Sequence, residues 1–287
     1  MSATAITARR FVSLVRLEHT VFALPFAYVG AMLALNDIPS AAQLLWLTLA
    51  MVGARSLAMA LNRLIDAEID ARNPRTAARE LPAGLLSRSQ VWGFSALALA
   101  VFMVAVWQLD PIVRWLWPIP LAAFVLYPYT KRFTWLCHLA LGLSIGLAPL
   151  GAWLAVGGDA GAAEPYMLWI AVAFWVGGFD VIYATSDIAF DQREGLRSLP
   201  ARFGVGPALW VTRVAHVISV GLLLTVGLML GVGPAYYLGL AAVAGLIGYE
   251  NAIVHADDLS RVNVAFFTLN GAISLVFLAG VLLDVLT

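Results

Sequence analysis

Residues 62–70 read Asn-Arg-Leu-Ile-Asp-Ala-Glu-Ile-Asp and end an apolar run that begins at residue 43. Asn62, Asp66 and Asp70 follow one another at intervals of four, so a helix places their side chains along one face. Placing a charged carboxylate near hydrocarbon costs free energy unless a cation pairs with it. The stretch therefore predicts a membrane helix whose end binds a cation, and the rest of the chain supports a membrane environment.

The composition is that of a membrane protein. Of the 287 residues, 62% are hydrophobic and 12% are charged, and the mean hydropathy is +0.88. Soluble domains average about 25% charged residues. Seventeen basic and seventeen acidic residues cancel, which argues against a nucleic-acid partner.

Nine apolar runs are long enough to cross a bilayer, which requires about 20 mainly apolar residues per helix. We therefore predict an all-α, polytopic membrane protein with nine transmembrane helices. The runs cover residues 20–36, 43–65, 89–108, 112–129, 134–156, 165–187, 206–230, 233–254 and 262–285.

The basic residues predict the orientation in the membrane. They concentrate before the first run and after every even-numbered run, whereas the opposite loops hold Arg114 alone. Because positively charged loops stay cytoplasmic, we expect a cytoplasmic N-terminus and an external C-terminus in a cell membrane. Residues 9–17 also predict a short interfacial helix on the cytoplasmic leaflet, with a frayed basic tail as the alternative.

A second acidic stripe comes later in the chain. Asp180, Tyr183, Asp187 and Asp191 are spaced i, i+3, i+7 and i+11. Four predicted spans separate this stripe from the first one, so both lie at the cytoplasmic ends of their helices and can face each other. Arg55 precedes Asn62 by seven residues and shares the face of the first stripe.

Each stripe is followed by arginines and then by Leu-Pro, in residues 75–84 and 193–201. This is a weak internal repeat of the second and third spans in the sixth and seventh. Oxygen ligands without His or Cys indicate Mg²⁺, which prefers carboxylates combined with substrate phosphate. The neighbouring arginines suit a phosphate group as well. A membrane-embedded site of this kind predicts a substrate with a phosphate head and an apolar tail, such as a polyprenyl diphosphate.

The motifs resemble those of the UbiA superfamily of intramembrane prenyltransferases. The resemblance is carried by Asn62 to Asp70 (N-x-x-x-D-x-x-x-D), by Arg75-Thr76-Ala77-Ala78-Arg79 with the Leu-Pro-Ala-Gly that follows, by Tyr127 to Arg132, and by Asp180 to Asp191. It extends over essentially the whole chain. It implies one domain over residues 1–287, a nine-helix bundle around a central cavity that opens to the membrane, and two Mg²⁺ ions.

The resemblance also implies roles for individual residues. The metal ligands are expected to be Asn62, Asp66, Asp70, Asp187 and Asp191, of which the four aspartates, together with Asp180 and Tyr183, form the catalytic set. Arg197 stands where many relatives have lysine, and we expect it to contact phosphate with a different geometry. Substrate binding is expected of Asn62, Arg55, Arg75, Arg79, Lys131, Arg132 and Arg197.

Three assignments have ordinary structural alternatives. Tyr183 is expected to shield an allylic cation with its ring, or it is a packing residue. Asp180 is expected to orient the acceptor or to collect its proton. Arg55 or Arg132 is expected to pair with an acceptor carboxylate; alternatively Arg55 snorkels and Arg132 only marks a cytoplasmic loop.

The acceptor stays open at this point. Residues 16–26 and 147–153 resemble the branch of 4-hydroxybenzoate polyprenyltransferase-like enzymes, which includes the naphthoate prenyltransferases of menaquinone synthesis. The hypothesis is transfer to 1,4-dihydroxy-6-naphthoate, slightly favoured, or to 4-hydroxybenzoate, in menaquinone or ubiquinone biosynthesis. Alternatives are transfer to haem, a chlorophyll precursor or a lipid, and a membrane transporter. The sequence predicts no obligate protein partner.

Overall fold

The computed structural model describes residues 10, 11, 13, 14 and 20–287, and these residues form helices and connecting loops without a strand. The helices are α1 Thr20–Leu35, α2 Ala41–Arg72, α3 Arg88–Trp107, α4 Val113–Leu116, α5 Pro118–Thr130, α6 Cys137–Ala155, α7 Glu164–Ala184, α8 Ile188–Glu194, α9 Leu199–Phe203, α10 Val205–Leu230, α11 Pro234–Ile253 and α12 Asn270–Leu286.

Six helical segments within these residues are long and apolar enough to cross a membrane. A further apolar helix over residues 23–35 is shorter. Each of the nine apolar runs contains a helix, but three of them, 20–36, 112–129 and 233–254, have no segment among the six. The all-helical class is confirmed, whereas the count of nine transmembrane helices stays a prediction.

The predicted interfacial helix over residues 9–17 falls partly on positions 9, 12 and 15–17, which lie outside the described residues. Of the others, Phe11 stacks on Phe94 with ring centroids 4.8 Å apart, and Leu14 is buried. Arg10 donates a hydrogen bond to the carbonyl of Leu85. These contacts fasten this part of the chain to α3 and to the loop that precedes it.

Helix α2 carries the first acidic stripe beyond the apolar run. It begins with a capping box, in which Ser40 and Gln43 satisfy each other's backbone N–H groups. It continues for 32 residues to Arg72, so Asp66 and Asp70 lie within its last two turns. The hydroxyl of Thr76 then donates to the carbonyl of Asp70, at 2.9 Å, and turns the chain back over the helix end.

The second acidic stripe does not lie on one continuous helix, contrary to the spacing argument. Helix α7 ends at Ala184, a 3₁₀ turn covers Thr185–Asp187, and α8 begins at Ile188. The hydroxyl of Thr185 donates to the carbonyl of Ile182 at 2.7 Å. Hydroxyl bonds of this local kind compete with the helical backbone ladder and bend helices. Asp180 and Asp191 therefore lie on two separate α-helical segments, α7 and α8.

Glycines allow α6 and α7 to pack backbone to backbone. A Cβ at Gly142 would overlap the carbonyl oxygen of Ala173, and one at Gly146 would press on the carbonyl of Trp169. On the other helix, Gly177 faces the carbonyl of His138, 3.3 Å from the position of its missing Cβ. Small residues serve this purpose between membrane helices in general. The close approach brings His138 on α6 beside Asp180 on α7.

We expect Gly142→Ala to lower the free energy of unfolding by about 1–3 kcal/mol, the usual cost of overpacking. The matched control is Gly151→Ala on the same helix, where an added Cβ meets no atom within 4 Å. That change should be neutral or stabilising by up to about 1 kcal/mol through helix propensity. Thermal unfolding of the two variants in detergent measures the difference, and equal midpoints would contradict the packing argument.

Candidate active site

A cavity of about 650 Å³ lies between the helices, and its two ends differ in chemistry. One end gathers charged and polar side chains from the ends of α2 and α7 and from the loops that follow them. The other end is apolar. The polar end contains Asn62, Asp66, Asp70, Asn73, Arg75, Arg79, Lys131, Asp180, Tyr183, Asp187, Asp191 and Ser198; the apolar end includes Leu47, Met51, Phe102, Leu116, Trp117, Leu147 and Trp169.

The first pair of aspartates is buried and neutralised by basic side chains. Asp66 is 2% exposed. Its carboxylate accepts hydrogen bonds from Lys131 Nζ at 2.7 Å and from Arg132 Nη2 at 3.3 Å. Both oxygens of Asp70 accept from Arg79 Nη1 at 2.8 Å. Asn62 Nδ2 also donates to Asp66 Oδ2, at 3.0 Å. The intervals of four therefore gather these groups as the sequence predicts.

The second pair lies opposite. Asp187 forms a two-point ion pair with Arg75 and accepts from Asn73 Nδ2 at 3.0 Å. The hydroxyl of Ser198 donates to Asp191. Thus Arg75 and Asn73, which follow α2, bind a carboxylate that follows α7, and the two acidic segments meet in space.

One further ion pair strengthens this junction, and the charge of Arg75 is secured by its contacts there. Arg72 Nε lies 2.7 Å from Glu194 Oε2 and links the ends of α2 and α8. Burial disfavours the charge of Arg75, but its hydrogen bond to Asp187 and the charge of that carboxylate outweigh burial and raise the Arg75 pKa. Arg75 therefore stays protonated at physiological pH.

Within the described part of the chain, no three His, Cys, Asp or Glu side chains converge closely enough to form a complete metal cage. This arrangement fits Mg²⁺, which keeps several waters and binds through one or two carboxylates plus substrate phosphates. Each side of the cavity offers two aspartates whose present partners are basic side chains, side-chain amides or a hydroxyl. The donor set is all oxygen, as the sequence analysis requires.

Two predicted substrate-binding residues lie outside the cavity lining. Arg132 donates to the carbonyl of Ile65 at 2.8 Å and packs over the ring of Tyr129. It therefore contacts Asp66 without lining the cavity. Arg197 donates to the carbonyl of Phe133 at 3.0 Å. The two arginine tails of the predicted repeat therefore differ, because Arg79 binds an aspartate whereas Arg197 binds a loop backbone.

Arg55 lines the cavity from α2, three turns before Asp66. Its Nε is buried, and it has no hydrogen-bond partner among the described residues. A buried guanidinium without an acceptor is costly. An anionic group bound in the cavity would remove that cost.

Tyr183 sits among aromatic rings at the cavity wall. Its ring stacks on Phe266 with centroids 4.1 Å apart, and its hydroxyl accepts from Arg75 Nη1 at 2.7 Å. Phe266 and Phe267 belong to a π-helix, Val264–Leu269, that precedes α12. The side chain of Asn270 donates to the carbonyls of Ala265 and Phe266, at 3.0 and 3.3 Å, and so satisfies part of this irregular backbone.

Several cavity residues have no counterpart in the sequence predictions: Arg63, Asn73, His138 and Ser198. Arg63 lies inside the quoted motif of residues 62–70, 3.9 Å from Asp70. Asn73 is the C-cap residue of α2 and falls between two quoted motifs. His138 bonds to Asp180 at 2.7 Å across two helices. Nothing in the local sequence around His138 signals that contact.

The comparisons with known proteins agree with this geometry. A sequence model of the UbiA prenyltransferase family matches residues 23–272. The chain is 29% identical to the 4-hydroxybenzoate octaprenyltransferase of Vibrio cholerae, over 98% of this chain and 99% of that protein. It is 30% identical to the mitochondrial 4-hydroxybenzoate polyprenyltransferase of Arabidopsis thaliana over 68% of this chain, a match that spans about half (48%) of the plant protein's length.

Solved structures share the fold. The apo structure of a UbiA homolog from Aeropyrum pernix K1 superposes with a TM-score of 0.84 at 35% identity, over 93% of this chain and 98% of that one. A UbiA homolog from Archaeoglobus fulgidus bound to GPP and Mg²⁺ gives a TM-score of 0.73 at 20% identity, over 97% of this chain and 100% of that one, and so shows the fold alone. The chain therefore belongs to the UbiA prenyltransferase family, the membrane-bound enzymes whose motifs its sequence resembles.

Proposed function

We propose that this enzyme uses Mg²⁺ to transfer a polyprenyl group from polyprenyl diphosphate to a ring carbon of an aromatic hydroxycarboxylate in quinone biosynthesis. One observation carries the proposal: a single cavity has four aspartates and several basic side chains at one end and apolar walls at the other. A polyprenyl diphosphate has the same two parts. The apolar walls receive the tail, and the charged end receives the diphosphate.

The metal-binding residues in this proposal are Asn62, Asp66 and Asp70 on one side and Asp187 and Asp191 on the other, for two ions. Bound Mg²⁺ supplies charge neutralisation of the leaving diphosphate. Lys131, Arg75 and Arg79 now lie within 3 Å of these carboxylates. In the loaded enzyme they turn to phosphate oxygens, where a guanidinium makes two parallel hydrogen bonds. The basic side chains thus exchange a carboxylate partner for a phosphate partner.

The protein also protects the reacting carbon. When the allylic C–O bond ionises, the positive charge develops beside the ring face of Tyr183, which stabilises a cation electrostatically. Phe266 and Phe267 support this ring at centroid distances of 4.1 and 6.0 Å. The aromatic wall also keeps water from the cation. The guanidinium of Arg75 already lies over this ring, 5.0 Å from its centroid, so the ring accommodates a cation.

Arg55 supports an acceptor that carries a carboxylate, because the residue lines the same cavity and its buried Nε has no hydrogen-bond partner among the described residues. The names of the relatives favour 4-hydroxybenzoate over the naphthoate that the sequence motifs slightly favoured. Both acceptors have a carboxylate and a ring hydroxyl. We therefore propose 4-hydroxybenzoate first and the naphthoate second.

The direct test incubates membranes containing the protein with Mg²⁺, a polyprenyl diphosphate and either 4-hydroxybenzoate or 1,4-dihydroxy-6-naphthoate. Mass spectrometry of the lipid extract should show the acceptor carrying one prenyl chain. Diphosphate release without either product would assign another acceptor, such as haem, a chlorophyll precursor or a lipid. Absence of diphosphate release under all conditions would contradict enzymatic transfer and favour transport.

Arg55→Leu should raise the KM for 4-hydroxybenzoate about 10-fold or more, since a hydrogen bond to a charged group contributes about 1.5–3 kcal/mol. The affinity for the prenyl donor should stay the same. Steady-state kinetics with each substrate varied in turn separates the two effects.

The matched control for Arg55 is a phenolic acceptor that lacks the carboxylate. Wild type should discriminate strongly between 4-hydroxybenzoate and this phenol, and Arg55→Leu should discriminate little. Equal discrimination by the two proteins would show that Arg55 does not bind the carboxylate and would favour the snorkelling alternative.

We further infer nine membrane spans in one domain, with the N-terminus and the charged end of the cavity in the cytoplasm and the C-terminus outside. Contacts between loops support this. Arg72 reaches Glu194, and the backbone N–H of Arg197 donates to the carbonyl of Lys131, so three basic loops meet at one end. At the other end Asp110 N–H donates to the carbonyl of Ala155. Labelling of single cysteines in the loops from either side of the membrane tests the orientation.

A further inference from the structure

His138 and Asp180 form a buried pair at the cavity wall that the metal site does not use. His138 Nδ1 lies 2.7 Å from Asp180 Oδ2. The side chain of His138 is 7% exposed, whereas that of Asp180 is 23% exposed, and both line the cavity. The carboxylate therefore faces the substrate space, and the imidazole lies behind it.

The second ring nitrogen determines the tautomer. The backbone N–H of Leu199 donates to His138 Nε2 at 3.2 Å. Because Nε2 accepts this bond, it carries the lone pair, and the proton of the neutral ring is on Nδ1. Nδ1–H then donates to Asp180. Both nitrogens are satisfied, so the ring has a defined orientation and the Asp180 carboxylate is left with one free oxygen toward the cavity.

We propose that His138 is a positioning residue that holds Asp180 as the acceptor of the ring proton during aromatic prenylation. The proposal rests on the proposed function, since it requires an aromatic acceptor. A third group that orients a base is a general feature of acid–base sites. Here the order is Leu199 N–H, His138 and Asp180.

Prenyl transfer breaks one C–O bond and one C–H bond and forms one C–C bond. The C–O bond of the prenyl diphosphate breaks, and its electron pair leaves with the diphosphate. A ring carbon beside the hydroxyl forms the new C–C bond to the allylic carbon. The C–H bond at that ring carbon then breaks, its electron pair restores the aromatic ring, and the proton moves to the free oxygen of Asp180. Release of that proton to water resets the carboxylate.

The same loop serves the metal side of the cavity. Ser198, the residue before Leu199, donates its hydroxyl to Asp191. One dipeptide therefore orients a predicted metal ligand through its side chain and the proton acceptor through its backbone and His138.

The test compares His138→Leu, which removes both hydrogen bonds, with His138→Gln, whose amide can donate to Asp180 and accept from Leu199. We expect His138→Leu to lower kcat with 4-hydroxybenzoate about 10²-fold, the lower range for loss of a positioned base. His138→Gln should keep most of the activity. The control is His216→Leu: His216 is also buried, hydrogen-bonds to Asn251 and does not line the cavity.

A deuterium isotope effect distinguishes positioning from a structural role. With 4-hydroxybenzoate deuterated beside the hydroxyl, wild type and His216→Leu should react at the same rate as with the protiated acceptor. His138→Leu and Asp180→Asn should react more slowly with the deuterated acceptor, because proton loss has become rate-limiting. If His138→Leu does not fold, His138→Ala, which also removes both hydrogen bonds, takes its place, since Asp180→Asn by itself tests only the proton acceptor.

Two outcomes overturn the inference. One is an unchanged kcat in His138→Leu, and the other is reduced activity without an isotope effect in both His138→Leu and Asp180→Asn. Failure of the proposed function is a different result, since wild type itself would then form no prenylated 4-hydroxybenzoate. Wild-type product together with isotope-insensitive variants contradicts the proton-acceptor role of Asp180 and the positioning role of His138, and it leaves the proposed function intact.

Discussion

Replacement of Asp66 by alanine should reduce prenyl transfer by about 10³-fold or more, as expected when a preorganised electrostatic group is lost from an active site. Asp66 is the most buried of the four aspartates and is the acceptor for Lys131, Arg132 and Asn62. Its removal deletes a proposed metal ligand and leaves Lys131 without its carboxylate. Product formation at saturating donor and acceptor measures the loss.

Glu68→Ala is the matched control for Asp66. Glu68 lies on the same helix two residues away, but its side chain is exposed and does not line the cavity. That variant should retain wild-type activity. Asp66→Asn keeps the shape of the side chain and guards against a folding defect. Full activity in a folded Asp66→Asn protein would refute the metal-binding role.

Chelation of divalent cations should abolish activity, and added Mg²⁺ should restore it. The four aspartates and the diphosphate would together concentrate negative charge at one end of a cavity of low dielectric, and the basic side chains alone must then neutralise both. We expect a loss of about 10²-fold or more, the size seen when one stabilising group is removed from a reacting oxyanion. Diphosphate release, measured with and without chelator, provides the readout.

The control for this experiment is the same chelator already saturated with Mg²⁺, which should have no effect. Asp187→Asn adds a graded test, since it should raise the Mg²⁺ concentration needed for half-maximal activity while Glu68→Ala leaves it unchanged. Activity that persists after thorough chelation would mean that Arg75, Arg79 and Lys131 neutralise the diphosphate without metal.

Sequence reasoning was reliable where one helix carries the whole pattern. The spacing of Asn62, Asp66 and Asp70 placed them on one face, and the structure brings all three to the cavity. The spacing of Asp180, Tyr183, Asp187 and Asp191 also brought these residues to the cavity. It did so despite a wrong assumption, because the 3₁₀ turn at Thr185–Asp187 interrupts the helix. Residue spacing does not reveal that the hydroxyl of Thr185 competes with the helical backbone hydrogen bonds.

The contacts of the arginines depend on more than their spacing in the sequence. Arg75 and Arg79 lie near the aspartates, as the motif suggested, but Arg197 turns to the carbonyl of Phe133. Two tails with similar residues therefore adopt different contacts. A long flexible side chain reaches whichever acceptor the neighbouring loop offers, and loop positions follow from helix packing rather than from the tail's own sequence.

The sequence by itself determined the membrane class, the helical runs, the family and the two sets of aspartates, because hydrophobic length and helical spacing are local properties of the chain. Only the tertiary structure decided which partner each charge has and that His138 stands behind Asp180. That pair forms across α6 and α7, whose glycines permit the close approach, and residues 42 positions apart in the chain meet there. Contacts between helices depend on the shape of both surfaces, which no single stretch of sequence contains.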